Sequence, residues 1–436
     1  MERLALETLK KWKTNSNKKP LIIKGARQVG KTWIMKEFGE KYYQSVAYIN
    51  FDGNEKMKNL FELDYDIERI ISGLELESGI PIEKQKTLII FDEVQEVPKA
   101  LSSLKYFYEE QPDYHIVAAG SLLGVALHEG TSFPVGKVDF LELYPLDFKE
   151  FLMATGNQKY LNLIEKQNFD LLESFKNKVI ELLKIYFIVG GMPEVVFNYT
   201  QNKNILETRE IQNKILASYE QDFSKHAPNN IVPRIKMLWN SIPSQLAKEN
   251  KKFIYGLIRQ GSRAKDYELA LSWLIDCGLI YKVTRVNKPG IPLKHYEDIS
   301  AFKLFVLDIG LLNAMSELDP KIVLEGNKLF EEFKGSCTEQ YVSQQLIASD
   351  IGIYYFTNDL SKGEIDFIIN YNGMVIPIEV KSSNNLNSRS LSSFVSKYDI
   401  KKAVKFSLGS YKQNEIVINI PLYSANYLIN IINGNS

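Results

Sequence analysis

Cysteine, histidine and excess charge of either sign are what this chain lacks. Two cysteines, Cys277 and Cys337, and four histidines occur in 436 residues, and 53 basic side chains are matched by 53 acidic ones. The cysteines lie far apart without metal-ligand spacing, which argues against a disulfide framework or zinc scaffold and points to a reducing compartment. Balanced charge leaves no global field, so any nucleic-acid surface must be local. The longest largely apolar stretch, residues 116–127, falls short of the roughly 20 residues a membrane span needs. The start, Met1-Glu2-Arg3-Leu4-Ala5, lacks the apolar core and small-residue cleavage site of a secretory signal. The expectation is a soluble, cytoplasmic protein with no membrane partner.

What is present is an ordinary globular composition, 45% hydrophobic and 24% charged, on a chain too long for one hydrophobic core. The first third alternates short apolar runs (residues 21–23, 45–51, 87–91, 114–119 and 138–143) with amphipathic stretches, which predicts a parallel sheet covered by helices. Residues 148–224 read as helical, broken at Gly190-Gly191-Met192-Pro193, in the manner of a lid. Helices over 233–248 and 266–276, a strand over 279–286 and the turn Asn287-Lys288-Pro289-Gly290 read as a winged helix. Beyond residue 301 another α/β unit follows.

Gly25-Ala26-Arg27-Gln28-Val29-Gly30-Lys31-Thr32 fits the P-loop pattern and lies between an apolar strand and a helical stretch. Glycines let the backbone curl so that successive N–H groups face phosphates, and the following helix adds its positive dipole end. Lys31 would reach the β- and γ-phosphates and the Thr32 hydroxyl would bind magnesium. A second apolar strand ends in Asp92-Glu93, where Asp92 would hold the magnesium through water and Glu93 would polarise the attacking water. A third, residues 115–119, leads to Gly120-Ser121, placing a hydroxyl where it could sense the γ-phosphate; a plain turn is the alternative. With no Asn-Lys-x-Asp sequence, adenine is favoured over guanine.

Gly-Ala-Arg-Gln-Val-Gly-Lys-Thr, Phe-Asp-Glu-Val-Gln-Glu, Ala-Gly-Ser-Leu-Leu, Tyr-Pro-Leu-Asp-Phe and Gly-Gly-Met-Pro-Glu, in that order, resemble the prokaryotic AAA-type ATPases of largely unknown role. Members of that family carry a winged-helix segment and a C-terminal domain similar to restriction nucleases. The resemblance implies an AAA-like P-loop core over residues 1–150, a helical lid over 151–230, a winged-helix segment over 231–300 and an α/β restriction-nuclease-like domain over 301–436. It also gives Lys31, Thr32, Asp92, Glu93 and Ser121 the roles above. One departure stands out: Gly136-Lys137 replaces the family's frequent Gly-Arg, and lysine lacks the planar donor fork of an arginine finger.

In the last domain, residues 363–369 and 375–381 flank Asn372-Gly373, a two-residue hairpin signal. That turn pairs residues whose numbers sum to 745, so Asp366 would face Glu379 and Glu364 would face Lys381, with Pro377 a candidate bulge. Opposed carboxylates repel unless a cation sits between them. With Glu339 on a preceding helix, the set resembles the Glu, Asp, Glu-x-Lys site of restriction nucleases, which implies a second divalent ion, magnesium or manganese, held by Glu339, Asp366 and Glu379 with Lys381. A solvated hairpin face is the bland alternative. The basic run Lys381, Arg389, Lys397, Lys401, Lys402 and Lys405 would attract a phosphate backbone, and Arg259, Arg263 and Lys265, beside Tyr255 and Tyr267 read as exposed, could do the same. The expectation is an ATP- and magnesium-dependent ATPase that repositions its other domains, with DNA or another protein as partner. Its rival is a nucleotide-gated regulator with an inactive nuclease-like domain.

Overall fold

The computed structural model describes residues 2–120, 134–248, 251–325, 331–357, 363–383 and 389–434. They form two compact units: residues 1–144 with 276–279, and residues 145–275 with 280–436. Among the described residues no helix is long and apolar enough to cross a membrane.

The first unit is built on β1 (Leu21–Lys24), β2 (Ser45–Asn50), β3 (Thr87–Asp92), β4 (His115–Ala119) and β5 (Asp139–Glu142). All pair in parallel, in the order β2-β3-β4-β1-β5. Every residue of β3 and β4 is buried, which requires cover on both faces and explains their unbroken apolar sequence. Helices α1 (Ala5–Thr14), α2 (Lys31–Tyr42), α3 (Glu55–Leu63), α4 (Ile67–Ser78) and α5 (Pro98–Glu110) supply the cover. Asn54 and Asp66 cap α3 and α4 by accepting from Met57 and Arg69 N–H groups. Phe51, Phe61 and Phe91 interlock edge to face, with ring centroids 5.2 to 5.9 Å apart, at the centre of the apolar cluster.

The second unit holds one mixed sheet of eight strands in the order β12-β13-β11-β10-β9-β8-β6-β7. The strands are β6 (Ile280–Val286), β7 (Glu297–Val306), β8 (Tyr354–Thr357), β9 (Glu364–Tyr371), β10 (Met374–Val380), β11 (Ala403–Ser407), β12 (Lys412–Gln413) and β13 (Val417–Pro421). The helices of 148–224 cluster with the C-terminal elements, residue 300 lies inside β7, and β6, the strand expected in the winged helix, pairs into the C-terminal sheet.

The physical reason for this unity is a buried lock between two sequence motifs. The Leu146 N–H donates to the Gly191 carbonyl at 2.7 Å, and the Gly191 N–H donates to Asp308 Oδ2 at 2.6 Å. Asp308, fully buried, also accepts from Leu311 N–H and Gln344 Nε2. Gly190 and Gly191 are required by close approach: a Cβ would lie 2.2 Å from Asp308 Oδ1 at the first and 1.9 Å from the Leu146 carbonyl oxygen at the second.

Gly191→Ala should therefore cost at least about 1–3 kcal/mol of unfolding free energy by overpacking, whereas Gly335→Ala, inside the helix Glu331–Ala348 with open space around it, should stabilise by about 0.5–1 kcal/mol. Chemical denaturation of both variants checks the sign reversal.

Burial pushes the Asp308 carboxyl up to about 6, overcoming the N–H groups that favour its charged form. Between its unfolded value, about 3.9, and that raised value the folded chain holds a proton the unfolded chain has released. Stability from this group falls as pH rises through the window and is level above it. The unfolding free-energy difference between wild type and Asp308→Asn should shrink across that window and then stay constant; a flat difference would contradict the assignment.

Candidate functional site

At the carboxyl end of β1 the chain turns through Gly25 (φ 137°), Gln28 (φ 66°) and Gly30 (φ 94°) before α2 starts at Lys31. A Cβ on Gly25 would lie 2.2 Å from the Leu143 carbonyl oxygen, so glycine is obligatory there. Ala26 and Val29 turn inward and are buried, while Arg27 is half-buried and Gln28 exposed. Lys31 is only 7% exposed, and its Nζ donates to the Gly25 and Ala26 carbonyls at 2.9 and 2.8 Å. Burial lowers the Lys31 amine to about 8, although Glu93, Asp92 and Glu142 pull the other way. A buried ammonium at a helix N-terminus is poised to gain from a polyanion.

The Thr32 Oγ1 donates to Asp92 Oδ2 at 2.7 Å, which joins the end of the loop to the end of β3. Asp92 is 4% exposed, and Oδ2 also accepts from the Tyr48 hydroxyl at 2.9 Å. Glu93 stands in the left-handed region (φ 51°), rare for a side chain of its size, and its Oε2 accepts from Gln95 Nε2 at 2.8 Å. The hydroxyl of Thr32 beside a buried, hydrogen-bonded carboxylate is the donor set a magnesium ion shared with phosphates requires. Ser121 lies outside the described residues.

Sequence reading missed three supporting side chains. Tyr48 sits on β2, next to β3 in the sheet; Gln95 follows the acid pair; and buried Arg3 donates to the Val29 carbonyl at 3.0 Å and to the Tyr144 carbonyl at 2.7 Å. Only Gln95, two residues from Glu93, carried a local signal. Lys137 pairs with Glu109 at 2.8 Å on the surface of its own unit.

In the second unit the hairpin forms on Asn372-Gly373, both at positive φ, and its partners sum to 745 as expected, from Met374↔Tyr371 to Ile378↔Phe367. Pro377 causes no shift, and the parallel ladder to β11 begins one residue later at Ile378. The ladder stops before Asp366 reaches Glu379: Asp366 Oδ2 accepts the Val380 N–H at 2.7 Å instead. Glu364 pairs not with Lys381 but with Lys303, which is fully buried on β7 and also lies 3.4 Å from Glu339 Oε2. Lys251 pairs with Glu339 Oε1, and Lys381 with Glu379 Oε1 at 2.5 Å.

Against burial, Lys251 and Lys303 hold the Glu339 carboxyl down at about 2. Burial, Glu339 and Glu379 instead hold Asp366 well above the carboxylate range. Among the described residues no group of three His, Cys, Asp or Glu side chains is placed to hold a metal ion; lysines pair with Glu339 and Glu379, and Asp366 accepts the Val380 N–H. Two further expectations change: Tyr267 is buried and Tyr255 half-buried, and Lys405 is only 2% exposed, so it adds nothing to a basic surface. Arg259, Arg263 and Lys265 are exposed.

A parallel sheet with a glycine-turned loop, a buried loop lysine and an acid pair at the neighbouring strand end defines a P-loop nucleotide-binding domain. Residues 17–152 match the family described as AAA domain, so the first unit is similar to AAA-type P-loop domains. Residues 180–322 and 334–424 match two families each described as a domain of unknown function. An uncharacterized protein of Haemophilus influenzae is 24% identical over 195 residues, 41% of this chain and 45% of that protein; the chain thus spans less than half that relative's length. A Walker-type ATPase of Pyrococcus abyssi is similar at 15% identity with a TM-score of 0.45, covering 71% of this chain and 94% of the other. The Aeropyrum pernix Orc1 protein in complex with DNA gives 14%, 0.27, 72% and 90% for the same measures. The Thermotoga maritima RuvB Holliday junction branch migration motor gives 15%, 0.27, 64% and 86%.

Tyr48→Phe removes one of two hydroxyl donors from Asp92 Oδ2 and should raise the magnesium concentration needed for nucleotide binding about 10- to 100-fold. Magnesium titrations with a fluorescent nucleotide check this; an unchanged requirement would remove Tyr48 from the site.

Proposed function

We propose that this chain binds ATP with magnesium and hydrolyses it. The observation that carries the reading is Thr32 bonded to buried Asp92, with Lys31 buried in the loop beside it. On binding, the phosphates replace the Gly25 and Ala26 carbonyls as partners of Lys31, and the N–H groups of residues 25–32 turn toward them. Thr32 and Asp92 would hold the cation, and Glu93, oriented by Gln95, would receive the proton of the attacking water. The magnesium ion, once bound, neutralises charge developing on the phosphates. Ser121 is assigned the γ-phosphate contact on its place in the sequence alone.

The second unit is assigned a binding role rather than cutting, with nucleotide state in the first unit setting its availability. Support comes from lysine-occupied carboxylates in place of a metal set, and from the exposed Arg259, Arg263 and Lys265. DNA is the partner class to test first, because those cations match a phosphate backbone.

Lys31→Ala should abolish magnesium-dependent ATP turnover, and Glu93→Gln should retain ATP binding while lowering turnover about 10²–10⁴-fold. Turnover by purified protein, measured with DNA, with RNA and without nucleic acid, tests the assignment and its coupling. Undiminished hydrolysis by Lys31→Ala rejects it.

A further inference from the structure

The layer between the helix Glu331–Ala348 and the second sheet contains more charge than a hydrophobic core tolerates. Four carboxyl groups, of Glu339, Glu364, Asp366 and Glu379, interact there with four ammonium groups, of Lys251, Lys303, Lys381 and Lys405. With Asp366 held in its neutral form, the ammonium groups already match or exceed the anionic carboxylates without any added ion. A divalent cation brought into this layer would leave it with net positive charge in a low-dielectric setting, where uncompensated charge is costly.

Lys303 has the central place. It is 0% exposed, contacts Glu339 and Glu364 with its Nζ, and lies 5.0 Å from the Tyr355 ring centroid. It arrives from β7, so neither the hairpin nor the Glu-x-Lys sequence announces it. Two buried polar atoms are left without partners, Glu379 Oε2 and Lys405 Nζ, on neighbouring residues of the β10–β11 ladder.

We infer that the Lys303 ammonium is the resident cation of this carboxylate cluster: it stands in for a divalent ion, making the second unit metal-independent and its acids structural. The inference deepens the binding-only reading of that unit and is independent of the ATPase assignment. Removing the ammonium while keeping the side-chain bulk converts the cluster into a divalent-cation site built from Glu339, Asp366 and Glu379.

The test uses the full-length, nucleotide-free chain with Mn²⁺ as probe, read by calorimetry and thermal denaturation. Wild type should show no Mn²⁺ binding that Asp366→Asn removes. Lys303→Met should show saturable Mn²⁺ binding and a Mn²⁺-dependent rise in melting temperature, both lost in Lys303→Met/Glu339→Gln. Should Lys303→Met fold only when Mn²⁺ is supplied, that rescue supports the inference. Two results overturn it: wild-type Mn²⁺ binding abolished by Asp366→Asn, or no gain of Mn²⁺ binding or Mn²⁺-dependent folding in Lys303→Met. ATP turnover by wild type, assayed separately, is untouched by either result, so failure here and failure of the ATPase reading are distinguishable.

Discussion

A charge taken out of water must be met by an opposite charge or by hydrogen-bond donors, and both units are organised around that requirement. In the first unit, buried Lys31 leans on two loop carbonyls while Asp92 gathers two hydroxyls. Each group thereby holds a position that phosphate and cation chemistry can use. In the second, Asp308 gathers backbone N–H groups and Glu339 gathers two ammonium groups. The same constraint gives a reactive arrangement where the partners are weak and exchangeable. It gives a fixed one where the partners are full charges.

That contrast separates the two acidic clusters. Carbonyls and hydroxyls around Lys31 and Asp92 can be exchanged for ligand atoms at modest cost, since each bond surrendered is replaced by a charge-assisted one. Withdrawing Lys303 would leave Glu364 without its ammonium and Glu339 with only Lys251, which is far more expensive. The first cluster suits turnover and the second permanence.

Much of the first unit was legible. Its strands read as unbroken apolar runs because both faces are covered, and the loop pattern is local, so Gly25 to Thr32 and the Asp92-Glu93 pair came straight from adjacent residues. The hairpin register was legible too, since Asn372-Gly373 fixes it. What could not be read depends on contacts distant in sequence. Tyr48 reaches Asp92 across 44 positions, and Lys303 reaches Glu339 across 36. The helix Glu331–Ala348 is a further case: Gln340, Gln344 and Gln345 are buried because they answer main-chain and hydroxyl groups of other segments, whereas composition alone places glutamine at the surface. The Gly190-Gly191 break read as a loop signal, and its purpose, room for Asp308 and the Leu146 carbonyl, is purely tertiary.

The single eight-stranded sheet also dictates how this polypeptide can be dissected. A fragment cut at residue 301 would discard β6, sever β7, lose Lys251 and bare the flank of β8 that β6 normally covers, leaving Glu339 with one of its two counter-ions. An unpaired strand edge of that kind invites self-association. Excision upstream of Pro145 keeps the sheet whole, with the Leu146–Gly191–Asp308 relay intact, and carries along only Asp276–Leu279 from the first unit.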